Sequence, residues 1–164
     1  MLLATGYRNK KTPQSRREMK IHETGVNLTN ILYHYALRNI PISGIGVSTI
    51  VHEYGHLICS KLLGFEGYIK SGRLSAVYHV LQPQGNQWTL FYLSGGLFQF
   101  VVFGLMSLRA TDRNIKITNR MTAIIGLIEG LTEPVRYLRL TGLGASMGII
   151  ASFLYLAYEL VKKS

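Results

Sequence analysis

Cysteine and acidic residues are both scarce in this chain of 164 residues. Its single cysteine, Cys59, excludes an internal disulfide framework and a zinc site built on a CxxC pair. Only 8 acidic residues stand against 18 lysines and arginines, which leaves a formal charge of +10. These cations lie in short clusters between apolar runs, whereas a nucleic-acid binder gathers them on one face with aromatic platforms between them. The expected partner is therefore a lipid bilayer and not a nucleic acid.

The apolar runs predict a mainly α-helical, polytopic membrane protein. A helix needs about 20 apolar residues to cross a hydrocarbon core of about 30 Å. Four segments suggest such helices: residues 40–65, 88–108, 121–135 and 141–161. We expect about four transmembrane helices in one membrane-embedded domain over residues 39–164. The basic segment before it, residues 1–38, is expected to be a cytosolic tail and contains no run long enough for a signal-peptide core.

Two further patterns complete the predicted topology. Residues 66–87 alternate apolar and polar side chains around a Ser71-Gly72 turn, which predicts a β-hairpin between the first two helices. With four spans, thirteen basic residues fall on the side of the two termini and five on the other side or at its edge. Because basic residues favour the cytosolic side of a membrane, we expect a multi-pass protein with both termini in the cytosol.

The first apolar segment contains His52, Glu53 and His56, which form an HExxH pattern. On a helix, residues four apart lie one turn above each other on the same face, so the two imidazoles can converge on one metal ion. Glu53 is then the candidate general base beside that ion. A chance match is the alternative reading. Ionisable side chains are costly within an apolar helix and usually persist there for a function, so the setting favours a metal site.

A hydrolytic zinc site usually has three protein ligands and one open position, so the two histidines need a third partner. Glu129 is the preferred candidate, because it lies at a similar depth on a segment that runs in the same direction as the first. Glu133, one turn further along, remains an alternative, and so do Asp112 and His34. Depth along the helices is the basis of this ranking.

Three sequence features together resemble the site-2 protease family of intramembrane zinc metalloproteases. The segment HEYGHLICSKLLG, residues 52–64, is similar to the family's HExxH helix. The segment SGGLFQ, residues 94–99, is similar to the small-residue motif of the following core helix. The family's Asp-Gly signature supplies its third zinc ligand, and Ile128-Glu129-Gly130 stands in the corresponding place here. The resemblance thus implies a zinc site with glutamate in place of aspartate as the third ligand.

By this resemblance, the protein would be a zinc metalloendopeptidase that cleaves transmembrane segments of other proteins, with water activated by Glu53. The glutamate at position 129 supports an alternative, a non-catalytic membrane protein that keeps the metal site or the scaffold to bind membrane partners. The intact Glu53 argues against that alternative. A soluble HExxH peptidase is the third hypothesis, and the uncharged stretch over residues 88–108 disfavours it. Substrate identity and oligomeric state do not follow from the sequence.

Overall fold

The computed structural model describes residues 26–40, 46–64, 67–70, 76–79, 86–138 and 143–162. Within these residues the chain forms five α-helices, and a 3-10 helix (Glu133–Leu138) follows the fourth of them directly. The α-helices are α1 (Leu28–Asn39), α2 (Val47–Leu62), α3 (Gln87–Arg109), α4 (Arg113–Thr132) and α5 (Leu143–Val161). Two short strands, β1 (Gly67–Lys70) and β2 (Ala76–His79), lie between α2 and α3.

The prediction of four transmembrane helices is wrong. Within the described residues, only α3 and α5 are both long and apolar enough to cross a membrane. Helix α2, which lies in the first predicted span, has 16 residues. It therefore extends about 24 Å, short of a hydrocarbon core of about 30 Å. Helix α4, in the third predicted span, has 20 residues, but charged and amide side chains occupy its first half.

The connection between α2 and α3 also differs from the predicted hairpin over residues 66–87. The described strands have four residues each and pair antiparallel, with Gly67 opposite His79 and Lys70 opposite Ala76. The predicted Ser71-Gly72 turn and residues 80–85 lie outside the described residues. Strand pairing in the part that the structure describes is thus limited to a short ribbon.

Helix α4 lies at the centre of the bundle and contacts α1, α3 and α5, while α2 packs on α3. The seam between α1, α4 and α5 is apolar and consists of Ile31, Tyr35, Ile117, Met121, Ile125 and Leu156. Full burial of a large apolar side chain stabilises a fold by about 1.5–3 kcal/mol. This seam therefore attaches α1, most of which falls within the predicted tail, to the rest of the structure. Residues 1–25 of that tail lie outside the described residues.

Other side chains of α4 are polar and buried, and hydrogen bonds from α1 compensate for their burial. The backbone N–H of Asn27 donates to Asn114 Oδ1 over 2.8 Å, and Asn39 Nδ2 donates to Thr122 Oγ1 over 3.2 Å. An unpaired buried polar group costs about 1–3 kcal/mol. These polar positions are thus stable within the bundle, although they prevent α4 from having the composition of a lipid-facing span.

Helices α3 and α4 approach each other closely through glycines. A Cβ atom at Gly96 would lie 2.2 Å from the backbone nitrogen of Gly130 and 2.3 Å from the carbonyl oxygen of Gly126. Only glycine allows two helix backbones to meet at this spacing. The contact holds the end of α4, and the 3-10 helix after it, against α3.

The two candidate spans run in the same direction, with α4 antiparallel to both. At one end of the bundle, Ala110 after α3 and Lys162 after α5 line one cavity with Arg113 at the start of α4. At the other end, Gly144 near the start of α5 faces Thr132 at the end of α4. Only 28% of the most apolar 18-residue stretch of each candidate span is buried. Most of that apolar surface therefore faces outward.

Candidate metal centre

Helix α2 places the motif residues on its inner face. His52, Glu53 and His56 are all buried, and the structure brings the two imidazoles together as their i, i+4 spacing predicts. The helix can sit this close to α3 because of Gly55. A Cβ atom at that position would lie 2.6 Å from the carbonyl oxygen of Ser94.

The junction between α4 and the 3-10 helix supplies a carboxylate to the two imidazoles. Pro134 has no amide hydrogen and cannot continue the hydrogen-bond ladder of α4, so the chain tightens into the 3-10 helix at Glu133. Glu133 is buried, and its Oε2 lies 3.1 Å from His52 Nε2 and 3.5 Å from His56 Nε2. The two Nε2 atoms are 3.0 Å apart. We call these three side chains the His-His-Glu cluster.

A hydrogen bond from Nδ1 of His56 fixes which nitrogen of its ring points a lone pair towards the centre of this cluster. His56 Nδ1 donates to the carbonyl oxygen of Phe91 over 2.7 Å, so Nε2 carries the lone pair in the neutral ring. A lone pair, a second imidazole nitrogen and a carboxylate oxygen thus meet within 3.0–3.5 Å of one another. A proton can join only one pair of these atoms, whereas a cation can satisfy all three.

The spacing of the cluster fits a metal ion. With metal–ligand distances of about 2.1 Å, tetrahedral coordination separates neighbouring ligand atoms by about 3.4 Å. The three observed separations, 3.0, 3.1 and 3.5 Å, are close to that value. Within the described residues these side chains form the one group of three ligand-bearing residues able to hold a metal. Two imidazoles and a carboxylate are a ligand set that zinc accepts.

The backbone of α3 at Gly95 lies directly against the two imidazoles of the cluster. A Cβ atom there would lie 2.4 Å from His56 Nε2 and 2.7 Å from His52 Nε2. Any side chain at this position would therefore enter the space between the two ligand nitrogens. The close approach of the two imidazoles therefore requires glycine at position 95.

Glu129, the preferred third ligand in the sequence analysis, occupies a different place. Its Oε2 lies 3.6 Å from His52 Nδ1, the ring nitrogen that faces away from the cluster. His52 Nδ1 is buried and makes no hydrogen bond within the described residues. The structure therefore brings Glu133, rather than Glu129, to the two Nε2 atoms. Glu129 instead lies on the outer side of the His52 ring, near Nδ1.

Glu133 would bind a metal in its carboxylate form.

A cavity of about 750 Å³ lies next to the cluster. His52, Glu53, Glu129 and Glu133 form one part of its wall. Apolar side chains from α1, α4 and α5 form much of the rest and include Leu32, Ile40, Ile125, Ile149 and Phe153. The polar groups thus converge at one region of a largely apolar cavity, an arrangement typical of ligand sites.

The remaining candidates from the sequence lie elsewhere or serve the packing of helices. Asp112 caps α4 by accepting a hydrogen bond from the backbone N–H of Ile115 over 2.8 Å, at the opposite end of that helix. The ring of His34 packs edge-to-face on Tyr33. Gln99 Nε2 donates to the carbonyl oxygen of Thr122 over 3.1 Å, which joins α3 to α4. Gln99 also reaches the wall of the cavity.

Comparisons with known proteins identified no relative: no protein-family model matches the chain, and neither a curated protein nor a solved structure matches it significantly. The argument for function therefore depends on the motif residues and on the geometry of the site.

Proposed function

We propose that this chain is a zinc metallopeptidase of the membrane, with His52, His56 and Glu133 as its metal ligands. The observation that carries the proposal is the convergence of two Nε2 atoms and one carboxylate oxygen within 3.0–3.5 Å, next to a largely apolar cavity. Glu53 supports a catalytic role over a purely structural one, because it lines the same cavity. A structural metal clip would need no such carboxylate.

The side chains of the site have separable roles under this proposal. A bound zinc ion supplies a Lewis acid that polarises a carbonyl group and lowers the pKa of water. Glu53 accepts a proton from the attacking water and passes it to the leaving amine. Phe91 holds the ring of His56 through its carbonyl oxygen, and Glu129 orients the ring of His52 from its outer side. The apolar walls of the cavity favour an apolar peptide segment as substrate and limit the access of bulk water.

The exposed apolar faces of α3 and α5 support a multi-pass arrangement in which these two helices face lipid and the antiparallel α4 returns between them inside the bundle. Gly95 lies eight residues beyond the start of α3, so the metal centre would lie about 12 Å below the nearer end of that span. A peptide bond from another protein's transmembrane segment can reach such a depth only after local unwinding, since its amides are otherwise hydrogen-bonded.

Orientation follows from the end at which the basic residues gather. Arg109, Arg113 and Lys162 lie where α3 and α5 end, and α1 begins beside Asn114 at the same end. Basic residues favour the cytosolic side, so we propose that both termini face the cytosol. Cysteines introduced at Thr111 and Asn86, in a Cys59→Ser background, should react with an impermeant maleimide from opposite sides of sealed vesicles. Labelling of both from one side would contradict the orientation.

The test of the catalytic proposal compares zinc content with peptidase activity in one preparation. We expect the purified protein to bind about one zinc ion per chain and to cleave a fluorescently labelled apolar peptide of transmembrane length in detergent. The Glu53→Gln variant should keep the zinc and lose cleavage, because the amide cannot accept the proton. Cleavage retained by this variant would refute the assignment of Glu53. If the parent protein binds zinc but is no more active than the Glu53→Gln variant, the result would favour the non-catalytic alternative.

A further inference from the structure

A second cavity lies at the end of the bundle opposite to the metal centre. Its volume is about 340 Å³, and it is bounded by the ends of α3 and α5 and the first turns of α4. Its charged lining consists of Arg113, Lys116, Arg120, Lys162 and Glu159. We call it the basic cavity. The proposed peptidase chemistry leaves it without a role.

Glu159 organises the two arginines of this cavity. This glutamate is buried; its Oε2 accepts a hydrogen bond from Arg113 over 3.4 Å, and its Oε1 lies 3.7 Å from Arg120 Nη1. Tyr155 donates to Glu159 Oε1 over 2.8 Å and accepts from Arg120 over 3.1 Å. The guanidinium groups are thus held at defined positions instead of extending freely into solvent.

The cavity retains a large excess of positive charge. Four cationic side chains and one carboxylate line it, which leaves a net charge of +3. Asp112, the nearby acid in the preceding loop, caps α4 and is not part of the lining. Cations that serve only to orient a protein in a membrane need no concave arrangement. Four cationic side chains line one cavity, and two of them are guanidinium groups held in place with several N–H donors each. Such a site is suited to a phosphate group.

The position of the cavity indicates where that phosphate group comes from. The apolar stretches of both candidate spans end beside it, at Leu108 and at Val161, and both of these side chains are exposed. If α3 and α5 cross the bilayer, the cavity lies at the level of the lipid headgroups, and acyl chains can follow the outer faces of the two helices. We propose that the basic cavity binds the phosphate group of an anionic phospholipid. This inference rests on the membrane part of the proposed function and is independent of the peptidase chemistry.

The test measures binding of short-chain lipids to the full-length, delipidated protein in an uncharged detergent by native mass spectrometry. The probes are dioctanoyl phosphatidic acid, dioctanoyl phosphatidylcholine and inorganic phosphate. We expect phosphatidic acid to bind more tightly than either of the others. Lys116→Gln and Lys162→Gln should each weaken its binding about fivefold, since a basic residue near a membrane surface contributes about 1 kcal/mol to the attraction of anionic lipid.

Lys61→Gln is the matched control, because Lys61 is an exposed lysine at the end of α2, away from the basic cavity. It removes the same charge and should leave phosphatidic acid binding unchanged. Equal losses of phosphatidic acid binding in all three variants would show that the lipid is attracted by the overall charge of the protein, and would overturn the site. Absence of selective binding to phosphatidic acid would also overturn it. Inorganic phosphate that binds as tightly as the lipid would overturn the lipid as its ligand.

Two further measurements on the same protein variants separate this inference from the proposed function. Zinc content should stay unchanged in the lysine variants, since the basic cavity lies at the other end of the bundle. Extraction of membranes with alkaline carbonate tests whether the chain is embedded at all. A protein that resists extraction and binds zinc, but shows no lipid selectivity, would refute the lipid site while leaving the proposed function intact.

Discussion

The two ends of helix α4 contain opposite arrangements of charge. At the end next to the 3-10 helix, Glu133 approaches two imidazole nitrogens at distances that fit a shared cation. At the other end, Glu159 of α5 is surrounded by Arg113, Arg120 and the hydroxyl of Tyr155, which already satisfy it. Both glutamates are equally buried, at 8% exposure. Burial of a carboxylate therefore does not by itself indicate a candidate metal ligand; the chemistry of its neighbours does.

The largest expected effect comes from closing the metal centre with a single methyl group. Gly95→Ala places a Cβ atom 2.4 Å from His56 Nε2, so we expect the variant to lose its zinc. Gly104→Ala is the matched control, because it lies in the same helix and a Cβ atom there meets nothing within 4 Å. Zinc content by elemental analysis and helix content by circular dichroism provide the measurement. A folded Gly95→Ala variant with a full equivalent of zinc would show that the centre has been misplaced.

The next effect distinguishes the two glutamates at the metal end. Glu133→Gln should weaken zinc binding by more than about a hundredfold, because it removes a charged ligand. Glu129→Gln should weaken it by about tenfold to a hundredfold, the range for a group that orients a ligand. Competition with a chelator measures both affinities. Glu159→Gln is the control from the opposite end and should leave zinc affinity unchanged. The reverse order of the first two variants would restore Glu129 as the third ligand.

The smallest effect concerns the other end of α4. Glu159→Gln removes the charge that holds two arginines, and the free energy of unfolding should fall by about 1 kcal/mol, since solvent screens the half-exposed guanidinium groups. Denaturant unfolding in detergent measures this change. Tyr155→Phe removes the hydroxyl that bonds to Glu159 and should have a similar cost, about 0.5–1.5 kcal/mol. If Glu159→Gln lowered zinc content instead, the two ends would not be independent.

The HExxH residues were predictable because a helix sets their geometry locally. Four residues make about one helical turn, so His52 and His56 share a face wherever α2 packs.

The third partner was harder to predict, because it lies on another helix. The ranking of Glu129 over Glu133 required the starting points of two helices, and both starting points were wrong. Helix α2 begins at Val47 and not near residue 40, and α4 begins at Arg113 and not near residue 121. The two starts differ from the expected ones by seven and eight residues, about two helical turns each, so depth counted from them could not separate two glutamates that are one turn apart.

The number of spans was overestimated for a related reason. Apolar residues in sequence do not tell whether a helix faces lipid or other helices, and the polar side chains of α4 are paired with α1 inside the bundle. The sequence likewise indicated cations near the ends of the spans but not the cavity that they line, which depends on where Glu159 of α5 meets α4.

The sequence by itself determined the two histidines, the neighbouring Glu53 and the strong apolar character of α3 and α5. These depend on spacing and composition within one helix. Tertiary structure alone decided that Glu133 completes the cluster, that Glu129 lies behind His52 and that Gly95 leaves room at the centre. Each of these depends on how far one helix is displaced along another, and helix packing sets that displacement through contacts between residues far apart in the chain.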